Sequence, residues 1–181
     1  MNKSYHQHGV FAVELAFVLF ALCAIFLFAS DLSHKLLIRA QLDRTSFALV
    51  NILKERTRYY SDYIGGELVA RHEINENDNI DMKILAARML NISQDDVAIK
   101  LESIINNIEQ PSFISQEFED LACQPSRSIY DQRHLIPVEN TKSYPLYQVS
   151  ICAKHDSWFL PFMRGQNETV TIISSSVIAG R

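Results

Sequence analysis

Three sets of side chains in this 181-residue chain have types and spacings that could do chemistry. The first is Gly9, followed by Val10, three further apolar residues and then Glu14. If the bond after Gly9 is cut, Val10 becomes the first residue and Glu14 the fifth, and a free amine stands at the head of an apolar helix. A carboxylate deep in a bilayer costs roughly 2.5–3.5 kcal/mol on insertion scales, so Glu14 needs a partner. That amine, offered by a neighbouring copy in a helical filament, supplies one and sets axial register.

The second set is Cys123 and Cys152. If their region is exported they are the natural disulfide pair, closing a loop of roughly 30 residues worth about 3 kcal/mol. Two separate buried thiols are the alternative. The third is Arg39 and Asp43, whose i, i+4 spacing suits an ion pair at a packed surface, between subunits for instance, or a solvated pair at its edge.

Other chemistry has little to stand on. His6 and His8 form an HxH pair at the extreme N-terminus, while His72, His134 and His155 are scattered, with no HExxH and no cysteine pair at metal spacing. Asn75, Asn77, Asn79 and Asp81 alternate like calcium ligands but lack the turn glycine and closing glutamate of an EF-hand, so Glu73 to Met82 reads as a solvated polar loop. There is no GxSxG and no phosphate-binding glycine loop among five glycines. Neither an enzyme nor a cofactor is expected. With 17 basic against 21 acidic residues, the chain lacks the cationic excess that nucleic-acid binding requires.

The elements that must position these groups begin with Val10 to Ser30, 21 residues with Glu14 as the one charge. As a helix this run is about 31 Å long, the thickness of a bilayer's hydrocarbon core. A cleaved secretory signal fits poorly, because Phe28-Ala29-Ser30 has a large residue where a small one is needed. A lipoprotein signal at Cys23 fails on Leu22. That leaves a permanent anchor or a processed signal whose helix is retained, and an ordinary anchor has no use for Glu14. Lys35, Arg39 and Arg44 follow the run while Lys3 alone precedes it, which on charge would hold the C-terminus inside. A following domain of about 150 residues overrides that count.

No Pro or Gly interrupts Asp31 to Tyr60, so the helix is expected to continue there, with Leu32, Leu36, Ala40, Leu42, Phe47, Leu49, Val50 and Leu53 on one broad packing arc. Gly65-Gly66 are read as its stop. The resulting divisions are a leader over 1–9, an apolar helix over 10–30, its amphipathic continuation over 31–65 and a folded domain over 66–181.

GVFAVE opening the apolar helix, LDRTSFALVNILKERTRYY from Leu42 to Tyr60, PLYQVSIC from Pro145 to Cys152, Trp158-Phe159 and the terminal VTIISSSVIAGR together resemble the minor pseudopilin F family of tight-adherence (Tad, or Flp) pili. The related pseudopilin E family usually has a proline in the apolar helix, and this chain has none there. The resemblance implies a prepilin cut by the membrane prepilin peptidase and kept as a low-abundance component for pilus assembly or initiation, adherence and biofilm formation. It implies as partners other Tad pilins and pseudopilins and the inner-membrane assembly platform. The location implied is the bacterial inner membrane with a periplasmic domain, then the cell surface. It carries Gly9 and Glu14 as signal residues and no catalytic one. A single-pass periplasmic scaffold or sensor outside any pilus is the alternative.

The remaining pattern predicts an α+β domain of pilin type, a small antiparallel sheet on the long helix. Met82, Leu85, Ala86 and Met89 suit a short amphipathic helix. Ser93 to Asp96 suit a capped turn, and Val97, Ile99 and Leu101 alternate as a half-buried strand. Tyr147, Val149 and Ile151 repeat that alternation, and Val170 to Ile178 form a third β-rich run. Trp158, Phe159, Phe162 and Met163 around Pro161 read as a loop folding onto the core, with a contact patch for another subunit as the alternative.

Overall fold

A computed structural model describes residues 8–55, 61–64, 67–139, 142–165 and 169–180. Helix α1 runs unbroken from His8 to Glu55, 48 residues or about 72 Å. Its apolar first half lies outside the core, with Phe11, Phe17, Phe20, Ile25 and Phe26 all exposed. The continuation expected over 31–65 is helix through Glu55 but not to its end, because Ser61–Ile64 (β1) pairs antiparallel with Glu67–Ala70 (β2), Ile64 opposite Glu67, and residues 56–60 lie outside the described residues. Two glycines flanked by β-formers are a hairpin signal, which the helix-stop reading of Gly65-Gly66 overlooked. Those two glycines lie outside the described residues.

The polar loop expected from Glu73 to Met82 is instead the start of helix α2, Glu76–Leu90. Asn75 caps it: the Asp78 amide donates to Asn75 Oδ1 (2.9 Å) and the Asn75 amide to Asp78 Oδ2 (2.8 Å). This reciprocal capping box engages Asn75, one of the four side chains that alternated like ion ligands, and the other three fall in the first turns of the helix it starts. Asn91, in the left-handed conformation that asparagine tolerates, closes the helix. A 3₁₀ turn over Gln94–Asp96, capped by Ser93, leads into the sheet as expected.

Strands β3 (Ala98–Ile105), β8 (Leu146–Asp156) and β9 (Thr169–Ala179) form its antiparallel centre, with short β4 (Ile108–Glu109) and β5 (Phe113–Ile114) both pairing with β3. Between them lie helix α3 (Gln116–Asp120), a 3₁₀ segment (Tyr130–Leu135) and the small ribbon of β6 (Val138–Glu139) and β7 (Lys142–Ser143). Helix α4 (Phe159–Arg164) joins β8 to β9.

Parity along the strands divides the domain into two packed layers. Ile99, Leu101, Tyr147, Val149 and Ile151 meet Leu42, Leu49, Val50 and Leu53 of α1 and Met82, Ala86 and Ala87 of α2. On the opposite face Ala98 and Cys152 pack with Phe118 of α3, and Ile104 and Leu146 with Ile129. The strand predicted from Val97 onward is therefore buried on both faces rather than half-buried. The sheet's second face also carries paired polar groups from β8 and β9: Gln132 Nε2 donates to Gln148 Oε1 (2.9 Å), Gln148 Nε2 to the Arg127 carbonyl (3.2 Å), and Ser150 meets Ser175 at 2.8 Å.

The face of α1 that packs overlaps the expected arc at Leu42, Leu49, Val50 and Leu53 and departs from it elsewhere. Asp31, Leu42, Thr45, Ser46, Leu49, Val50 and Leu53 are buried, whereas Leu32, Leu36 and Phe47 are 45%, 59% and 59% exposed. Asp31 and Ser46 belong to the buried stripe because the sheet offers them partners; the Ser46 hydroxyl lies 3.0 Å from that of Ser174 and 2.8 Å from that of Ser176. Hydrophobicity alone drew an arc that straddles the packed row and the exposed row beside it.

Candidate assembly site and helix–sheet junction

Gly9, Val10 and Glu14 all fall within the first turns of α1. Glu14 is exposed on a helix flank otherwise made of Phe11, Val13, Leu15, Phe17 and Val18, so its carboxylate has no partner within the subunit among the described residues. Gly9 and Val10 are helical in backbone. Residues 1–7 of the leader expected over 1–9 fall outside the described residues. The helix from Phe11 onward is long and apolar enough to cross a membrane.

Where the apolar run ends, the first charged residue is Asp31, and it is 4% exposed. Its carboxylate accepts from four groups. Lys35 Nζ approaches Oδ2 at 2.9 Å one helical turn along, and the Ser157 hydroxyl donates to Oδ2 at 3.0 Å. The Trp158 backbone amide reaches Oδ1 at 3.0 Å and His155 Nε2 reaches it at 3.1 Å. Burial pushes the Asp31 pKa up; hydrogen bonds from Lys35, Trp158, His155 and Ser157 outweigh it and hold the carboxyl below the usual carboxylate range. An ionised Asp31 requires the proton of His155 on Nε2, so in the neutral ring Nδ1 accepts, and His34 Nδ1, 3.2 Å away, donates to it.

Asp31, His155 and Ser157 are the residue types of a hydrolase triad, but the serine hydroxyl bonds the carboxylate rather than the imidazole. Among the described residues no imidazole is placed to take its proton. The junction instead ties the helix to the far end of β8. Nothing local in the sequence linked residues 31 and 155; the one usable signal was an aspartate immediately after an apolar run. His155, read as one of several scattered histidines, is 3% exposed and belongs to this network.

Beyond the junction, α4 lies along the apolar half of α1. Trp158 stacks on His34 with ring centroids 5.5 Å apart, Phe159 meets Phe28 edge-on at 5.3 Å, and Phe162 meets Phe20 at 5.6 Å. The aromatic cluster thus sits on α1 outside the core, contrary to the loop expected there, since Pro161 and the aromatics form a helix turned away from the sheet.

Cys123, which follows α3, is joined to Cys152 of β8, their Cα atoms 6.4 Å apart. The bond fastens α3 to the second face of the sheet beside Phe118 and Ala98. Cys23 is free and exposed on α1. Arg39 and Asp43 are both exposed, and among the described residues no ion pair joins them; they stand on the unused row of α1 with Leu36 and Phe47. Among the described residues no group of three or more His, Cys, Asp or Glu could hold a metal.

A long apolar helix free at its start and packed at its end on a small antiparallel sheet is the α+β fold of a pilin-like protein. The chain belongs to the TadF family, tight adherence pilin protein F, whose family model matches residues 2–181. No curated protein and no solved structure shows a significant match to it.

Proposed function

We propose that this chain is a minor pseudopilin of a Tad (Flp) pilus, made as a prepilin, cut after Gly9 by the prepilin peptidase, and required for pilus assembly or initiation and hence for surface adherence and biofilm formation. The observation that carries the reading is the exposed Glu14 in the free apolar half of α1. A carboxylate there has no use to the folded subunit and a clear one between subunits, where the amine of a processed Val10 can meet it.

On this reading residues 1–9 are the leader and 10–30 hold the subunit in the bacterial inner membrane, with everything from Asp31 onward periplasmic. The same 10–30 helix joins the other Tad pilins and pseudopilins on the assembly platform and passes with them to the cell surface. The exposed row of Leu32, Leu36, Arg39, Asp43 and Phe47 continues that contact face beyond the membrane. Arg39 and Asp43 find their opposite charges on a neighbouring copy rather than on each other.

The deciding experiment is the mature N-terminus in cells with and without the prepilin peptidase. A chain beginning at Val10 only when the peptidase is present is expected; a chain that keeps Met1 in both removes the proposal and leaves a permanently anchored periplasmic protein.

A further inference from the structure

Resting on the reading of α1 as a membrane helix, we infer that α4 is a membrane-contacting wedge that seats the folded domain on the outer leaflet before assembly. Its occupant is lipid: headgroups around Trp158 and acyl chains around Phe162 and Met163.

The position of α4 along α1 argues for this. Trp158 stacks on His34, about 6 Å beyond the end of the apolar run at Ser30, and Phe159 meets Phe28, about 3 Å inside it. Phe162 reaches toward Phe20, which lies about 15 Å inside. An aromatic residue at the boundary with apolar residues below it is the arrangement of interfacial anchors, which settle about 5–10 Å into the headgroup and acyl boundary.

Exposure argues for it too. Trp158, Phe162 and Met163 are 56%, 40% and 62% exposed, and the Phe20 and Phe28 rings beside them are also open. In an unassembled subunit the medium at that depth is lipid, so the patch is covered once α1 is inserted. Several backbone groups at the start and end of α4 already have partners within the chain. The Trp158 amide donates to Asp31 and the Leu160 amide to Ser157 Oγ, Pro161 has no N–H to satisfy, and the Gly165 amide returns to the Pro161 carbonyl. Asp31 therefore does more than join helix to sheet: it holds the start of α4 at the level of the bilayer surface.

Trp158 is the chain's single tryptophan and Cys23 its free thiol, so one preparation reports on both claims. The full chain is placed in phosphatidylcholine vesicles with bromine atoms near the headgroup end of the acyl chains, and Cys23 carries a polarity-sensitive fluorophore. Expected are a lipid-like signal from Cys23, a blue-shifted Trp158, and about twofold stronger quenching of Trp158 by brominated lipid than by aqueous iodide. A lipid-like Cys23 with Trp158 quenched by iodide alone overturns the wedge and leaves the spanning helix intact. A water-like Cys23 overturns the spanning helix, and the wedge with it. A second chain, Trp158→Phe with Phe162→Trp, reads a deeper level; quenching there by iodide rather than by lipid also overturns the wedge, and Met163→Asp is expected to weaken lipid quenching in either chain.

Discussion

The Asp31 carboxylate and the His155 imidazole, 124 residues apart in sequence, meet at 3.1 Å in a buried junction at the point where the apolar half of α1 ends. The contact fixes which residues of α1 are free of the domain and which are packed on it. The sign of its pH dependence follows from the carboxyl. A pKa held below its ordinary 3.8 contributes stability that is fully present above that value and is lost as pH falls toward the lower folded value. Urea midpoints of the full chain in detergent, taken at neutral pH and at successively lower pH below about 4, are expected to fall. The fall attributable to Asp31 should vanish in Asp31→Asn, whose neutral-pH midpoint is already lower. Asp31→Ala strands Ser157, His155 and the Trp158 amide and is expected to cost about 3 kcal/mol. An Asp31→Asn chain that keeps the full wild-type acid dependence contradicts the assignment.

The disulfide makes a separable contribution. Its loop of 29 residues corresponds to about 3 kcal/mol on the chain-entropy account, and α3 makes few other attachments to the sheet besides Phe118 and Ser115. Reduction of the purified chain should add the mass of two hydrogens and lower the unfolding midpoint. Cys123→Ser/Cys152→Ser should match the reduced protein and become insensitive to reductant. A reductant effect that persists in the double variant would assign it elsewhere.

The packed and exposed rows of α1 are distinguished by a pair of substitutions. Ser46 is buried and bonds two serines of β9, so Ser46→Ala is expected to cost about 1–2 kcal/mol by leaving Ser174 and Ser176 less satisfied. Phe47, one residue along and 59% exposed, should change subunit stability by less than about 0.5 kcal/mol when replaced by Ala. Its effect is expected instead in pilus assembly, scored by counting pili or by surface attachment. If Phe47→Ala unfolds the subunit, the two rows are wrongly assigned.

What the sequence disclosed follows from range. The long helix was readable because one uninterrupted pattern specified it, and the three main strands because alternation is local. Cys123 and Cys152 could be paired because the chain has few cysteines and one of the three lies in the apolar run. The Asp31 network was hidden because its partners lie on β8 and just beyond it, brought together only when the sheet forms. The capping box at Asn75 was misread for a different reason. Acidic and amide side chains serve equally as ion ligands and as helix caps, and the apolar spacing that decides between them begins only at Ile80 and Met82. On α1, apolarity marked two adjacent rows without saying which would be used, since the used one contains Asp31, Thr45 and Ser46.

Glu14 separates processing from assembly. It stands in the second turn of α1, exposed among Phe11, Val13, Phe17 and Val18, and its charge is costly in lipid unless paired. On the proposed reading the bond cut, Gly9–Val10, lies in the first turn of α1 and one turn ahead of Glu14, so Glu14→Ala is expected to yield a mature chain beginning at Val10 in nearly wild-type amounts, and Glu14→Gln likewise. Assembly should fail in both, because neither variant can meet a neighbour's terminal amine as an ion pair. The uncharged chains should also be retained at least as firmly in the membrane, since about 2.5–3.5 kcal/mol of insertion cost has been removed. Mass spectrometry of the mature chain, membrane fractionation and pilus counts read the three outcomes separately. Normal piliation in Glu14→Gln would show that subunit register is set by something other than this charge. Failure of cleavage in Glu14→Gln would instead place the carboxylate in the peptidase's own recognition of the chain.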